Sequence, residues 1–526
     1  MSVKRLLSAA LIAATALSLS TAALSQQAAP GRGPAAGAPA RGAAPAGAPA
    51  RGGGRAATPA IDITNLPKQN VHVAQGEARG VVIDGVTRFQ GLPYAAPPVI
   101  DLRWKVPQPA AHWSGVRDAF NPGGGCAAPN EDCLYLNVQK PADAKPGAKL
   151  PVMVYIHGGS FTSGAGANYD GTQFVRQGIV VVTINYRLGR AGWFSHPALT
   201  KEGQPSNFGL LDQIAALKWV QTNINAFGGD PKKVTIFGES AGAVSVLYLT
   251  ISPEARGLFV GAISQSGFPR NVPGNRAAVE AYAARASAAA GVTGDGPPAA
   301  AALRRLPLSA FPASTGYFDN TRAYPTVDGK SIRYGITEGY DKGDARVPLL
   351  IGGNSNDSSL YNMRAATLAD VPNRAAMARV FNPAGNKSDD QLINDYWTVM
   401  RMTEPNRNLA RVYTRAGKPV YLYYFSFEAP GARTQAIRGA RHAADIPYAF
   451  NSNRAYAGEE LSTAQAMNAY WAAFAKYGNP GAAGGVAWPK YNVAADTIME
   501  FGNDGVHTTS KMLDAQLNYF DSNPRQ

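Results

Sequence analysis

Cysteine is nearly absent from this chain of 526 residues, being limited to Cys126 and Cys133. Two thiols cannot build a disulfide-rich scaffold or a four-cysteine zinc site. Histidine is also scarce, and six residues exclude a His-rich metal protein. Acids number 36 against 50 Lys and Arg, a formal net charge of +14. Such an excess raises nucleic acid or an anionic surface as partners. The cations are scattered, however, with no Lys/Arg run and no basic stripe interleaved with aromatics, so nucleic-acid binding has little support. A hydrophobic share of 45% against 16% charged residues excludes a wholly disordered chain and supplies a large core.

Part of the charge excess belongs to the beginning of the chain. Lys4 and Arg5 precede the apolar stretch Leu6–Ala23, and Ala23-Leu24-Ser25 fits an A-x-A-like cleavage pattern. Residues 1–25 are therefore expected to be a signal peptide that exports the chain to a periplasmic or extracellular location. A transmembrane anchor is the rival, but Ser and Thr dilute the stretch, and no later segment is apolar and long enough to span a bilayer. Residues 26–60 are almost wholly Ala, Gly, Pro and Arg, with GAPARG at Gly37–Gly42 and again at Gly47–Gly52. Nothing there can bury a core, so a flexible, solvated linker is expected rather than a basic tether. Lys4, Arg5, Arg32, Arg41, Arg51 and Arg55 give residues 1–60 a charge of +6 of the +14, leaving +8. An oxidising destination also bears on Cys126 and Cys133, which only Ala127–Asp132 separates. A disulfide closing this small loop is expected there. A catalytic thiol is the rival, and neither cysteine sits in a nucleophile's sequence context.

Residues 61–526 form one α/β domain in this reading. Val152–Ile156, Ile179–Asn185, Val234–Phe237, Gly261–Gln265, Val347–Gly352 and Val420–Phe425 are short β-rich runs. Helical patterns alternate with them, around Tyr169–Gln177 and over Leu210–Asn225, where Leu210, Ile214, Leu217, Val220 and Ile224 recur at helical spacing. This alternation implies a mostly parallel central sheet with helices on both faces. Ala278–Ala302 is Ala-rich and is expected to be a helical insertion covering the C-terminal edge of the sheet.

Gly238-Glu239-Ser240-Ala241-Gly242 follows the run VTIF and opens a helical stretch. This is G-x-S-x-G in its required context, a sharp strand-to-helix turn that exposes a serine. The flanking glycines are needed because side chains there would strike the neighbouring strand or helix. A serine needs a base, and the hydrolase order of Ser, acid, His leaves His442 and His507. His442 follows a late β-rich run and is preferred. Asp357, in the loop after VPLLIG, is the preferred acid; Asp328, Asp341, Asp344 and Asp445 are rivals, and Asp445 is expected instead to brace the loop locally. His157-Gly158-Gly159-Ser160-Phe161 follows VMVYI, as an oxyanion loop should, so its backbone N–H groups and that of Ala241 can converge on one spot.

Together these segments resemble the type-B carboxylesterase family, the carboxylesterase/cholinesterase group of α/β-hydrolases. The resemblance runs from about Val71 to Tyr491. It is carried by FQGLPYAAPP at Phe89–Pro98, RWKVPQPAAHWSGV at Arg103–Val116, EDCLYLNV at Glu131–Val138, NYRLG at Asn185–Gly189, Asn207–Pro231, the Ser240 elbow, QSG at Gln265–Gly267, HAADIPYAF at His442–Phe450 and Trp471–Tyr491. It implies an α/β-hydrolase fold with helical insertions over the active site, nucleophile Ser240 and base His442. It also implies oxyanion donors at Gly159, Ser160 and Ala241, a supporting role for Ser266, and a Cys126–Cys133 disulfide with a shortened loop. It implies hydrolysis of small-molecule carboxylic esters through an acyl-enzyme, without metal or organic cofactor. Asp357 stands where the family commonly has Glu, and the Gly that follows the acid is missing. Ser160 replaces a third Gly, so a positive φ there would strain it. A silent binding protein on the same fold, or an amide, carbamate or lipid hydrolase, are the alternatives. Phe161, Trp193, Tyr317, Phe318 and Tyr361 are candidate pocket liners or, equally, core residues.

Overall fold

Runs of Val and Ile that cannot satisfy a helix stripe without exposing apolar surface are buried on both faces when they pair as parallel strands. The structure, a computed structural model, describes residues 62–270, 273–311, 324–360, 371 and 373–522. The expected signal peptide and linker, and Tyr317, Phe318 and Tyr361, lie outside the described residues.

In chain order the strands are β1 (Lys68–Val73), β2 (Gly76–Ile83), β3 (Val86–Pro93), β4 (Val116–Asp118), β5 (Tyr135–Pro141), β6 (Leu150–Ile156), β7 (Val180–Ile184), β8 (Gly229–Glu239), β9 (Gly261–Gln265), β10 (Gly274–Asn275), β11 (Thr326–Val327), β12 (Leu349–Asn354), β13 (Val420–Phe425), β14 (Thr497–Gly502) and β15 (Gly505–Ser510). All but β10 and β11, which pair with each other, belong to one sheet ordered β1-β2-β3-β5-β7-β6-β8-β9-β12-β13-β14-β15, with β4 on β2. From β7 to β14 every pairing is parallel. Apart from β4, which runs parallel to β2, the flanks are antiparallel, β1 through β7 on one side and β14–β15 on the other. The expected parallel centre is thus present. The antiparallel edges were not foreseen, because β1 buries only Val71 and Val73 and carries little apolar signal.

Two helical expectations need correction. The pattern around Tyr169–Gln177 yields only the single turn Thr172–Val175. Ala278–Ala302 is two helices, Arg276–Ala289 and Pro297–Arg305. Gly291 and Gly294, both at positive φ, and the Pro at the start of the second helix make the break. These helices bury Ala283, Ala300 and Leu303 with Trp104, Phe194 and Phe208 in a cluster separate from the main core. No helix among the described residues is long and apolar enough to cross a membrane.

The helix expected over Leu210–Asn225 spans Phe208–Asn223. It carries Asp212, whose two oxygens accept from Arg187 Nη2 at 2.7 Å and from Arg187 Nε at 2.8 Å. Both side chains are at most 2% exposed. Cys126 and Cys133 form the expected disulfide. Removing one member of a fully buried ion pair strands the other charge, at a cost of about 3–5 kcal/mol. Asp212→Ala is therefore expected to lower the urea midpoint by that free energy divided by the slope, with the slope unchanged, and a wild-type midpoint would contradict the assignment.

Candidate active site

Strand β8 ends in the G-x-S-x-G turn, and the helix Ala241–Ile251 begins at once. Ser240 sits between them at φ 55°, ψ −122°, a strained conformation for a residue with a Cβ. Two backbone hydrogen bonds of 2.9 Å hold it, from Ser240 N–H to Gln265 O and from Val244 N–H to Ser240 O. The glycines have steric reasons. A Cβ on Gly238 would lie 2.6 Å from the Ile156 carbonyl oxygen, and one on Gly242 would overlap the same oxygen. Helix and strand meet too closely for any other residue.

Asp357 and His442 come together from different loops. His442 Nδ1 lies 2.7 Å from Asp357 Oδ1. Asp357 Oδ2 accepts from Asn354 N–H at 2.7 Å and from Ser266 Oγ at 2.9 Å, so Ser266 touches the acid it was expected to support. The loop that carries His442 is stitched to the loop that carries Asp357. Asn356 N–H donates to Ala440 O at 2.8 Å, Asn354 Nδ2 to Arg441 O at 2.8 Å, and His442 N–H to Ser359 Oγ at 2.8 Å. Further back, Glu428 accepts from Arg438 Nε at 2.8 Å and from Gly439 N–H at 2.7 Å. Arg438 above all, with the Gly439 N–H, holds the Glu428 carboxyl down at about 2 against the effect of burial.

The far side of the imidazole faces the elbow. His442 Nε2 lies 3.2 Å from Glu239 Oε1, and Glu239 immediately precedes Ser240. Burial raises the Glu239 pKa, since its carboxylate has lost water; the nearby imidazole offsets only part of this. For His442, burial opposes the charged form, but Glu239 and Asp357 outweigh it and raise the pKa. Sequence reasoning missed Glu239, because the x of G-x-S-x-G carries no signal until the imidazole is placed beside it.

The other candidates have different partners. Asp445 is buried and accepts from Gln265 Nε2 at 2.8 Å, Tyr423 OH at 3.0 Å and Asn354 Nδ2 at 3.2 Å. It is a brace, but to distant strand residues rather than to its own loop. Asp328 accepts from the N–H groups of Ser206, Lys330 and Ile332. Asp344 pairs with Arg256 at 3.8 Å. Asp341 is exposed at the end of the helix Ile336–Asp341. His507 lies on β15, 3.6 Å from Glu500 and 39% exposed.

The loop after β6 completes the constellation. Gly158 lies against the elbow, where an added Cβ would stand 2.7 Å from Glu239 O and 3.1 Å from Ser240 Cβ. Gly159, Ser160 and Phe161 all have positive φ, at 109°, 55° and 60°. Ser160 therefore occupies the conformation in which a serine was expected to be strained. Among the described residues, the N–H groups of Gly159, Ser160 and Ala241 donate to no backbone or side-chain acceptor. Beneath them His157 is buried, stacked on Tyr186 at 4.5 Å, and burial pushes its pKa down to about 4. Phe161 and Trp193 are buried edge-to-face at 4.6 Å. No group of His, Cys, Asp and Glu suited to a metal ion occurs among the described residues.

The model of the carboxylesterase family matches residues 67–381 and 382–520. A fumonisin B1 esterase of Sphingopyxis macrogoltabida is 34% identical over 85% of this chain and 89% of its own. A para-nitrobenzyl esterase of Bacillus subtilis is 46% identical over 40% of this chain and 46% of its own. Among solved structures, a PNB esterase superimposes with a TM-score of 0.73 at 32% identity, covering 85% of this chain and 99% of its own. A Geobacillus stearothermophilus carboxylesterase gives 0.73 at 32% identity, covering 85% and 98%.

The Glu239–His442 contact has a measurable consequence. Glu239→Gln removes a carboxyl whose ionised form favours the imidazolium, so the His442 pKa should fall. The downfield Nδ1 proton resonance, followed by NMR, should then titrate at lower pH than in the wild type. An unshifted or higher midpoint would show that Glu239 does not act on His442.

Proposed function

The chain belongs to the carboxylesterase family and is a carboxylic ester hydrolase of α/β-hydrolase fold, and we propose that it is an exported serine esterase working through an acyl-enzyme on Ser240. The observation that carries this reading is the 2.7 Å bond from His442 to Asp357, on an imidazole whose other nitrogen is turned to the residue preceding Ser240.

Ser240 Oγ attacks the ester carbonyl carbon while its proton passes to His442 Nε2. Asp357 holds the Nδ1–H tautomer and stabilises the imidazolium that forms. Negative charge developing on the carbonyl oxygen is met by the unspent N–H groups of Gly159, Ser160 and Ala241, each such donor being worth about 10²–10³ in rate. The imidazolium returns its proton to the departing alkoxide oxygen, and the alcohol leaves. A water molecule then gives a proton to Nε2 as it attacks the acyl carbon. Collapse expels the carboxylic acid and reprotonates Ser240. Glu239 beside Nε2 favours the imidazolium in both halves. The family implies small-molecule ester substrates, and the relatives' names, fumonisin B1 esterase and para-nitrobenzyl esterase, support such substrates here. Lys4, Arg5, the apolar stretch after them and the small residues at 23–25 support export.

Ser240→Ala is expected to abolish hydrolysis of a short-chain p-nitrophenyl ester, and a serine-directed organophosphate should label Ser240 by mass spectrometry. Retained turnover in Ser240→Ala would reject the acyl-enzyme. Asp357→Asn should cost about 10⁴ in kcat through loss of the correct tautomer; near-full activity would assign the acid elsewhere. For export, the mature N-terminus in a fractionated host should begin near residue 26, and a cytoplasmic product retaining Met1 would overturn it.

A further inference from the structure

Asp357 opens a short 3-10 turn, Asp357–Leu360, directly after β12. The carboxylate has no slack on the strand side. Its Oδ2 is bound by Asn354 N–H and Ser266 Oγ, and a Cβ on Gly353 would stand only 2.7 Å from it. The other side of the turn is held by the next residue, Ser358, which is 1% exposed. Its N–H donates to Thr398 Oγ1 at 3.0 Å, and its hydroxyl donates to Asn394 O at 3.0 Å and also contacts Asn394 Oδ1. Asn394 and Thr398 lie four residues apart, hence on one face of the helix Asp389–Thr398, which is capped by Ser388 and runs on into the π-helical turn Val399–Thr403. One buried serine thus docks the Asp357 turn on a helix that touches no reacting atom.

We propose that Ser358 is a positioning residue that sets the reach of the acid, so that an aspartate at 357, and not a glutamate, meets His442 Nδ1. The inference rests on the serine-esterase reading above. A glutamate carboxyl stands about one carbon–carbon bond further from its own Cα. To keep the 2.7 Å bond to the imidazole the turn would have to retreat by roughly 1 Å, a displacement that elsewhere costs about 10²-fold when uncorrected. The bonds from Ser358 to the helix oppose that retreat. Shortening residue 358 to glycine removes the hydroxyl's bonds to Asn394 and leaves only the N–H bond to Thr398, which loosens the turn. Ser358 should therefore help an aspartate at 357 and hinder a glutamate, a reversal of sign that general support of the fold would not produce.

The test compares kcat and KM for wild type, Ser358→Ala, Ser358→Gly, Asp357→Glu and Asp357→Glu/Ser358→Gly on one p-nitrophenyl ester, with active sites counted by organophosphate labelling. Ser358→Ala and Ser358→Gly should each lower kcat about 10-fold with KM within two-fold, because substrate binding is untouched. Asp357→Glu should lower kcat about 100-fold, and adding Ser358→Gly should recover at least 10-fold of it. Wild-type kcat in Ser358→Ala, or a double variant no faster than Asp357→Glu, would overturn the proposal. If the Ser358 variants fail to fold, Thr398→Val, made in the wild type and in Asp357→Glu, reads the same reversal from the helix side, and its absence there would be equally decisive. A failure of the esterase reading is separate, since it would appear as turnover in Ser240→Ala or as no adduct on the wild-type serine.

Discussion

A serine held at φ 55° is the constraint around which this molecule is arranged. Residues other than glycine adopt such backbone only where their surroundings impose it, at about 1–3 kcal/mol. Here the imposition comes from both sides. Gln265 on β9 accepts the Ser240 N–H, and the first turn of the helix Ala241–Ile251 captures its carbonyl. Gly238 and Gly242 let that helix descend onto the Ile156 carbonyl of β6 without a side chain between. The parallel centre of the sheet is therefore what forces the bend. Strands β6, β8 and β9 must lie side by side for the three restraints to act at one residue.

The second theme is charge. Three carboxylates, Asp357, Glu239 and Asp445, act on one buried imidazole. They are not equivalent. Asp357 is fully hydrogen-bonded, and Asp445 is held by Gln265, Tyr423 and Asn354. Glu239 makes no hydrogen bond through Oε1, the oxygen nearest His442. A carboxylate that is buried and incompletely satisfied retains its capacity to answer a neighbouring positive charge. Glu239 therefore favours the charged imidazole, while burial raises its own pKa.

Much of this was legible in the sequence, for identifiable reasons. The elbow was readable because sterics permit only glycine at 238 and 242. His442 was readable because hydrolase order left two histidines, of which one follows a late strand. The strain at Ser160 was foreseeable from glycine's usual place there, and its φ of 55° bears it out. What escaped notice depends on contacts between distant segments. Glu239, Asn354, Ser358 and Ser359 are ordinary polar residues in sequence, and their partners lie across loops or on other elements. Strands β1 and β15 lack long apolar runs because a sheet edge buries little. The break in Ala278–Ala302 was signalled by Gly291, Gly294 and Pro297, but the alanines around them dominated the pattern.

The order of strands across the sheet has a temporal consequence. Strand β12 pairs with β9, which precedes it by more than eighty positions, and the imidazole arrives only after β13. A chain emerging from the ribosome owns its serine long before it owns a partner for it. On the proposed mechanism such a nascent chain lacks its acid and its base until residues 357 and 442 have been made, so synthesis itself would delay the onset of hydrolysis.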